Sequence, residues 1–311
     1  MPIVAALAAV ATLAAAAAAP DAARAGDDVP SPPVTKAEDV AATPRLRFHV
    51  PGETVAFHGV VSNDGAGLKD GPILYAGGPA GLVAGVIAHS LISNSRRQRQ
   101  KDEIAAQADA VLDPYADAIA GLRQRDLLVR SLAGMTTAGG KSIGDEGAAG
   151  AETWVIDYVP VFAMNQDRRA IVLDNDVSIT RLNGPAGASY RNTIRIVSAP
   201  VPVQDTDWWE VDHFANIAAE GARLLAMSFD LALSDARWDP PAAATPSAQR
   251  TLRFLVGADE RMERAEPIGQ TCDRIVMRTL RGWIQSAPPS RTPATDGAGR
   301  PCATAVVAAP G

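Results

Sequence analysis

The sequence predicts an α+β protein, an antiparallel sheet packed with amphipathic helices and preceded by a glycine-rich apolar helix. Three observations predict it. Residues 153–199 hold three strand-like runs, TWVIDYVPVFAM, RRAIVLDNDVSIT and YRNTIRIVSA. In the second, Ile171, Leu173, Val177 and Ile179 share one face while Asp174, Asp176 and Ser178 take the other, the pattern of a sheet with one wet side. The stretches 96–134 and 207–235 instead step their apolar residues by three or four, as helices do. Strands and helices arrive in blocks rather than in strict alternation, which separates α+β from α/β.

The first element is MPIVAALAAVATLAAAAAAPDAARAGDDVP. Its apolar run from Ile3 to Ala19, followed by small residues and then Asp27 and Asp28, reads as a secretory signal peptide over residues 1–25. Ala23-Arg24-Ala25 places cleavage after Ala25, although no Lys or Arg precedes the run. Residues 26–44, GDDVPSPPVTKAEDVAATP, are polar and Pro-rich and read as a disordered linker. A single domain is expected over 45–286, followed by a flexible tail over 287–311.

RLRFHV and ETVAFHGVV alternate like two short strands, separated by the turn signal Pro51-Gly52. Next comes YAGGPAGLVAGVIAHSLISNSRRQRQK. Gly77, Gly81 and Gly85 are four apart, so a helix over 73–92 carries them on one face as a glycine zipper, a helix-packing or oligomerisation surface. From Pro72 to Ile92 no residue is charged, and Arg96, Arg97, Arg99 and Lys101 follow, a layout compatible with a single inner-membrane span. Pro72, Pro79, His89 and Ser90 argue against the span. The expectation is a helix packed on its own sheet, on the same helix of a second copy, or on a membrane surface.

Ile104, Ala108, Val111, Tyr115, Ile119 and Leu122 then form one apolar stripe, interrupted at Pro114. Asp113-Pro114 looks like an N-cap with Pro at the first helical position, so a kink or two abutting helices is expected there. Residues 134–151 read as a Gly-rich loop. Between the central strands, Gln166-Asp167 and NGPAG (183–187) fit turns. From Asp207, a plausible N-cap, the residues Phe214, Ile217, Gly221, Leu224, Phe229 and Leu231 or Ala232 make an amphipathic helix. A Pro/Ala loop, WDPPAAATPS, leads to TLRFLVG, ERMERAEPI and RIVMRTLRGWIQ.

The chain has 311 residues, 47% hydrophobic and 21% charged, with a formal net charge of -6. An acidic chain has no electrostatic footprint for nucleic acid. GMTTAGGKS (134–142) is not a phosphate loop, because Met135 stands where the first glycine belongs. Glu210-x-x-His213 is half of a di-metal pattern whose other half is missing, and Glu210 is more simply a charge complementing a helix N-terminus. His49, His58, His89, Asp174 and Asp176 have no nucleophile context around them, since no G-x-S-x-G or Ser-x-x-Lys is present. Trp154, Trp208, Trp209 and Trp283 suit the ends of a core better than a ligand surface. No catalytic, metal or cofactor residue is assigned.

Cys272 and Cys302 are the two cysteines. In an oxidising compartment they could pair, closing a loop of about 30 residues, or they could remain thiols.

A Gly-rich apolar helix running into a basic helix with a mid-helix Pro, then a strand hairpin, YRNT and a Trp-led amphipathic helix, form a recognisable order. It resembles a group of glycine-zipper-containing envelope proteins and lipoproteins of Gram-negative bacteria. The carriers are GGPAGLVAGVIAHSLISNSRRQRQK, PVFAMNQDRRAIVLDNDVSI, YRNTIRIVSAP and WWEVDHFANIAAEGARLLA, within residues 72–235. The resemblance implies an envelope location and no defined activity. This chain departs from the lipoproteins in having no Cys near the expected cleavage site.

Together these readings predict a non-catalytic accessory or assembly protein of the periplasm or cell envelope. It would act through self-association, an envelope protein partner or a membrane surface, without nucleic acid and without a cofactor. The alternatives are a single-pass inner-membrane protein spanning at 73–92, and a periplasmic hydrolase or metal-dependent enzyme built on Glu210, His213 and strand aspartates.

Overall fold

The computed structural model describes residues 44–60, 103–144, 153–182, 189–202, 208–237 and 248–302. All of them belong to one compact unit, Ala42–Gly311. The expected signal peptide and the zipper helix over 73–92, with Gly77, Gly81 and Gly85, lie outside the described residues, as does the expected linker up to residue 43.

The architecture is α+β. Among the described residues, a mostly antiparallel mixed sheet of ten strands carries one long helix on one face. Its centre is β4 (Thr153–Asn165), β5 (Ile171–Arg181) and β6 (Ser189–Val197). These are the three runs expected from the sequence, paired antiparallel in order. The β4–β5 connection is the expected turn, closed by the Arg168 N–H donating to the Asn165 carbonyl at 3.0 Å.

β1 (Arg45–Phe48) and β2 (Ala56–Val60) do not pair with each other. Both lie parallel to β4, β1 along Thr153–Ile156 and β2 along Val161–Asn165. Pro160 sits between those two stretches, where a missing N–H costs the sheet no ladder bond on that side. The Gly-rich stretch 134–151 contains a strand the sequence reading passes over, β3 (Lys141–Ile143), parallel to β1. Lys141 and Ser142 are therefore strand residues.

The helical region after residue 102 is more broken than its stripe predicts. Residues 103–109 are helical (α1), Ala110–Tyr115 form a 3-10 segment containing Pro114, and α2 (Ala116–Gly121) follows. The expected kink is thus a tightened turn, because Pro114 cannot donate into an α-helical ladder. Asp113 lies inside the 3-10 segment rather than capping it. A second break comes at Leu122 and Arg123, both extended, where Thr54 bridges Arg123. Then α3 (Gln124–Gly134) begins.

The long helix α4 (Val211–Arg237, 27 residues) has Asp212 in its first turn and Arg237 in its last, both matched to the helix dipole. Asp207, the expected cap, lies outside the described residues. Ile217, Leu224, Leu225, Phe229, Ala232 and Leu233 of α4 are buried against Ile171, Leu173, Val177 and Ile179 of β5. Phe229 lies at the centre of the buried stripe: its ring lies 4.9 Å from Phe48 and 5.0 Å, edge-on, from Tyr158. Asp230 fixes the chain after α3, accepting from the backbone N–H and hydroxyl of both Thr136 and Thr137.

After α4 the sheet resumes with β7 (Arg250–Val256), β8 (Asp259–Gln270), β9 (Ile275–Thr279) and β10 (Ile284–Ala287). They pair as an antiparallel meander, and β10 also lies parallel to β6. Beyond β10 the chain returns to β7: Phe254 bridges Pro289, and the Leu255 N–H donates to the Pro288 carbonyl at 2.9 Å. This half of the sheet closes around a second, smaller core of Val172, Val197, Leu252, Phe254, Ala265, Ile275, Met277 and Ala287. Residues 287–302, expected as the start of a flexible tail, are hydrogen-bonded to this body.

Candidate functional site

The ionisable side chains that converge lie on the sheet face opposite α4, at one end of the second core. Alternation along β5 puts Asp174 and Asp176 there, because Leu173, Asn175 and Val177 point toward α4. The register then aligns Asp174 with Arg195 and Asp176 with Thr193. Arg195 grips Asp174 with two parallel bonds, Nε to Oδ1 at 2.6 Å and Nη2 to Oδ2 at 2.7 Å, the fork geometry that favours arginine over lysine. Both side chains are largely buried, 15% and 13% exposed, so each requires the other. Thr193 Oγ1 donates to Asp176 at 2.5 Å.

Trp283, just before β10, has two guanidinium groups near its ring. Arg195 is 5.2 Å and Arg281 5.3 Å from its ring centroid, within the range of cation–π attraction. Glu263 of β8 completes the group, within reach of the charges of Arg195 and Arg281. Burial pushes its carboxyl above the ordinary glutamate range, against the opposing pull of Arg195 and Arg281. The Thr279 hydroxyl, buried on β9, has no hydrogen-bond partner among the described residues. Chemically the group is a nearly charge-balanced collar at the border of the small core.

A second polar node lies under the C-terminal half of α4. Asp235 accepts from Arg278 Nη2 at 2.7 Å and from the Tyr190 hydroxyl at 2.9 Å. Burial, then the Asp235 charge, pushes the Tyr190 phenol well above its usual range. On the same face but toward Glu220 and Arg223 of α4, Arg274 donates to Ser286 Oγ, the Ser286 carbonyl and the Val197 carbonyl. Burial, reinforced by the Arg223 charge, pushes its guanidinium down to about 10.

Among the described residues, the other side chains singled out in the sequence do not gather into a site. His49 Nδ1 lies 2.7 Å from Asp157 Oδ1 at the exposed surface of β1 and β4. Glu210 is exposed in the turn before α4; His213 is in the first turn of α4, and its side chain lies outside the described residues. His58 lies on β2, and His89 is outside the described residues. Among the described residues no group of three or more His, Cys, Asp or Glu could hold a metal ion. Trp209 is buried and donates Nε1–H to the Arg168 carbonyl, while Trp154 lies beneath Arg181 and Arg237. A shallow cleft of about 300 Å³, lined by Ala110, Val111, Pro114, Gln166 and Arg168, opens beside the β4–β5 turn. Among the described residues no helix is long and apolar enough to cross a membrane.

Cys272 and Cys302 are joined by a disulfide. Of the collar, the sequence reading names Asp174, Asp176 and Trp283 and misses Arg195, Arg281 and Glu263. The alternation of YRNTIRIV, which puts Arg191, Thr193 and Arg195 on one face, is the signal that could have found Arg195. Glu263 arrives from a strand far along the chain, and nothing local announces it.

No family model, no curated protein and no solved structure matches this chain.

Proposed function

We propose that this is an exported, non-catalytic protein of the cell envelope that works through contacts with other proteins. The observation that carries the reading is the Cys272–Cys302 bond. Disulfides persist in oxidising compartments and are rare where thiols are kept reduced. The apolar run Ile3–Ala19 supports the same compartment independently. The non-catalytic part is supported by how the ionisable groups are engaged. Asp174 is held by Arg195, Asp176 by Thr193 and Asp235 by Arg278 and Tyr190, so these carboxylates brace strands and a helix.

Fractionation with N-terminal sequencing and thiol counting tests the compartment. The periplasmic fraction is expected to yield a chain beginning near Gly26 in which Cys272 and Cys302 resist alkylation until reduced. Recovery of the intact Met1 chain in the cytosol with both thiols alkylated would overturn the proposal.

A further inference from the structure

We propose that the Cys272–Cys302 bond is a redox-sensitive clasp, which releases a C-terminal arm when a dithiol reduces it and leaves the sheet in place. The burial pattern carries the inference. From Ile284 to Pro288 every residue is buried, but from Arg291 to Cys302 none is. The core therefore ends before the arm begins, at the seam where Pro289 meets Phe254. The bond fastens a segment to which hydrophobic burial contributes little.

The arm is folded mainly on itself. The Cys302 N–H donates to the Ala294 carbonyl at 2.9 Å, and Thr295 bridges Pro301. Asp296 accepts from the Ala298 and Arg300 N–H groups and from Arg300 Nε, which holds its carboxyl below the usual range. Among the described residues, the arm makes two hydrogen bonds to the end of β8 besides the disulfide. The Gly297 N–H donates to the Gln270 carbonyl at 2.8 Å, and Gln270 Nε2 donates to the Thr295 carbonyl at 3.3 Å. Two such bonds between exposed partners do not outweigh the chain entropy of a detached arm. The strands enclosed by the disulfide loop are held differently. β9 pairs with β8 and β10, and β10 also pairs with β6, none of which depends on the arm.

Both cysteines are partly exposed, so an external thiolate can reach the bond. The thiolate attacks one sulfur to give a mixed disulfide, and the donor's second thiol resolves it. Two electrons and two protons pass to Cys272 and Cys302, which become thiols, and the dithiol leaves as a disulfide. The inference concerns the bond and the arm, and it stands whether or not the export reading does.

The test is amide hydrogen exchange on the full chain, oxidised and after dithiothreitol with alkylation of the released thiols. A Cys272→Ser/Cys302→Ser variant serves as a second source of the open form. On reduction, the Gly297 amide is expected to lose its protection, and trypsin to cut sooner at Arg291. The amides of β9 and β10 are expected to keep theirs. Loss of protection across the whole sheet would make the bond a core staple and overturn the clasp. So would unchanged protection at Gly297, or a bond that dithiothreitol cannot reduce in the folded chain.

Discussion

Gly257→Ala is a sharp test of how the sheet closes. Gly257 occupies the first central position of the two-residue turn between β7 and β8, with φ +62°. This is the place glycine takes in a tight hairpin, because a side chain is strained at positive φ. It is also pressed against the β4–β5 turn. A Cβ on Gly257 would overlap Asn165 Nδ2 and lie 2.6 Å and 2.7 Å from the carboxylate oxygens of Asp167. Those two side chains join the turns: Asp167 accepts from the Ala258 N–H at 2.7 Å, and Asn165 Nδ2 donates to the Val256 carbonyl at 3.4 Å. Placing alanine at positive φ costs about 1 kcal/mol. Pushing Asn165 and Asp167 aside loses their two bonds, at about 1 kcal/mol each. The expected loss is therefore about 3 kcal/mol. Gly282→Ala is the control, because Gly282 has φ +82° but nothing within 4 Å of an added Cβ. It should lose about 1 kcal/mol from backbone strain alone. Urea denaturation reads both, and thermal melts should fall by roughly 2–4 °C per kcal/mol for a domain of this size. Equal losses in the two variants would refute the close approach of the two turns. A double variant adding Asp167→Ala should lose less than the sum of its parts, since the bond is already gone.

Two further predictions concern the polar nodes. Asp235→Ala removes the carboxylate shared by Arg278 and Tyr190, and should cost about 2–4 kcal/mol in urea denaturation; Asp235→Asn, which keeps one acceptor, should cost less. Glu263→Gln should melt at the wild-type temperature or above it at neutral pH. The folded pKa of Glu263 is raised, so its contribution to stability is fully present below about pH 4.3, the ordinary value, and is lost as pH rises through the folded value. Glutamine does not titrate, so the advantage of the variant should shrink as pH falls toward that ordinary value. A variant less stable than wild type at neutral pH, or an advantage that grows in acid, would refute the account.

The central strands and α4 are legible in the sequence because each has one face against a core and one away from it. Ile171, Leu173, Val177 and Ile179 announce β5, and Asp174 and Asp176 announce its other face. Less legible are elements whose reason for existing is distant. β3 is three residues in a Gly-rich stretch and is a strand because β1 lies beside it. β8 carries Glu260, Arg261, Glu263, Arg264 and Glu266, a run that looks like surface, yet Ala265 is fully buried and Arg253 of β7 pairs with Glu260. The break at Leu122 and Arg123 is set by the crossing chain at Thr54, which no local pattern encodes. The two cysteines admit a single pairing, but whether they pair depends on where the arm lies.

The collar follows from the same asymmetry. α4 covers one face of the sheet, while the other face is covered where β7 to β10 close. Along that second face burial rises step by step from an edge to the small core. Val159 of β4 is 52% exposed, the Asp174–Arg195 pair is largely buried, and Met277 of β9 is fully buried. Side chains at such a border cannot be apolar without exposing a patch, and cannot be charged without a partner. Asp174 with Arg195 and Asp176 with Thr193 satisfy both conditions and need no function to explain them. Glu263 satisfies them less well, since burial raises its carboxyl against the pull of Arg195 and Arg281. If Glu263→Gln leaves the fold as stable or more so, the carboxylate is not there for stability, and partner contacts should be sought first at the side chains of Glu263, Arg281 and Trp283.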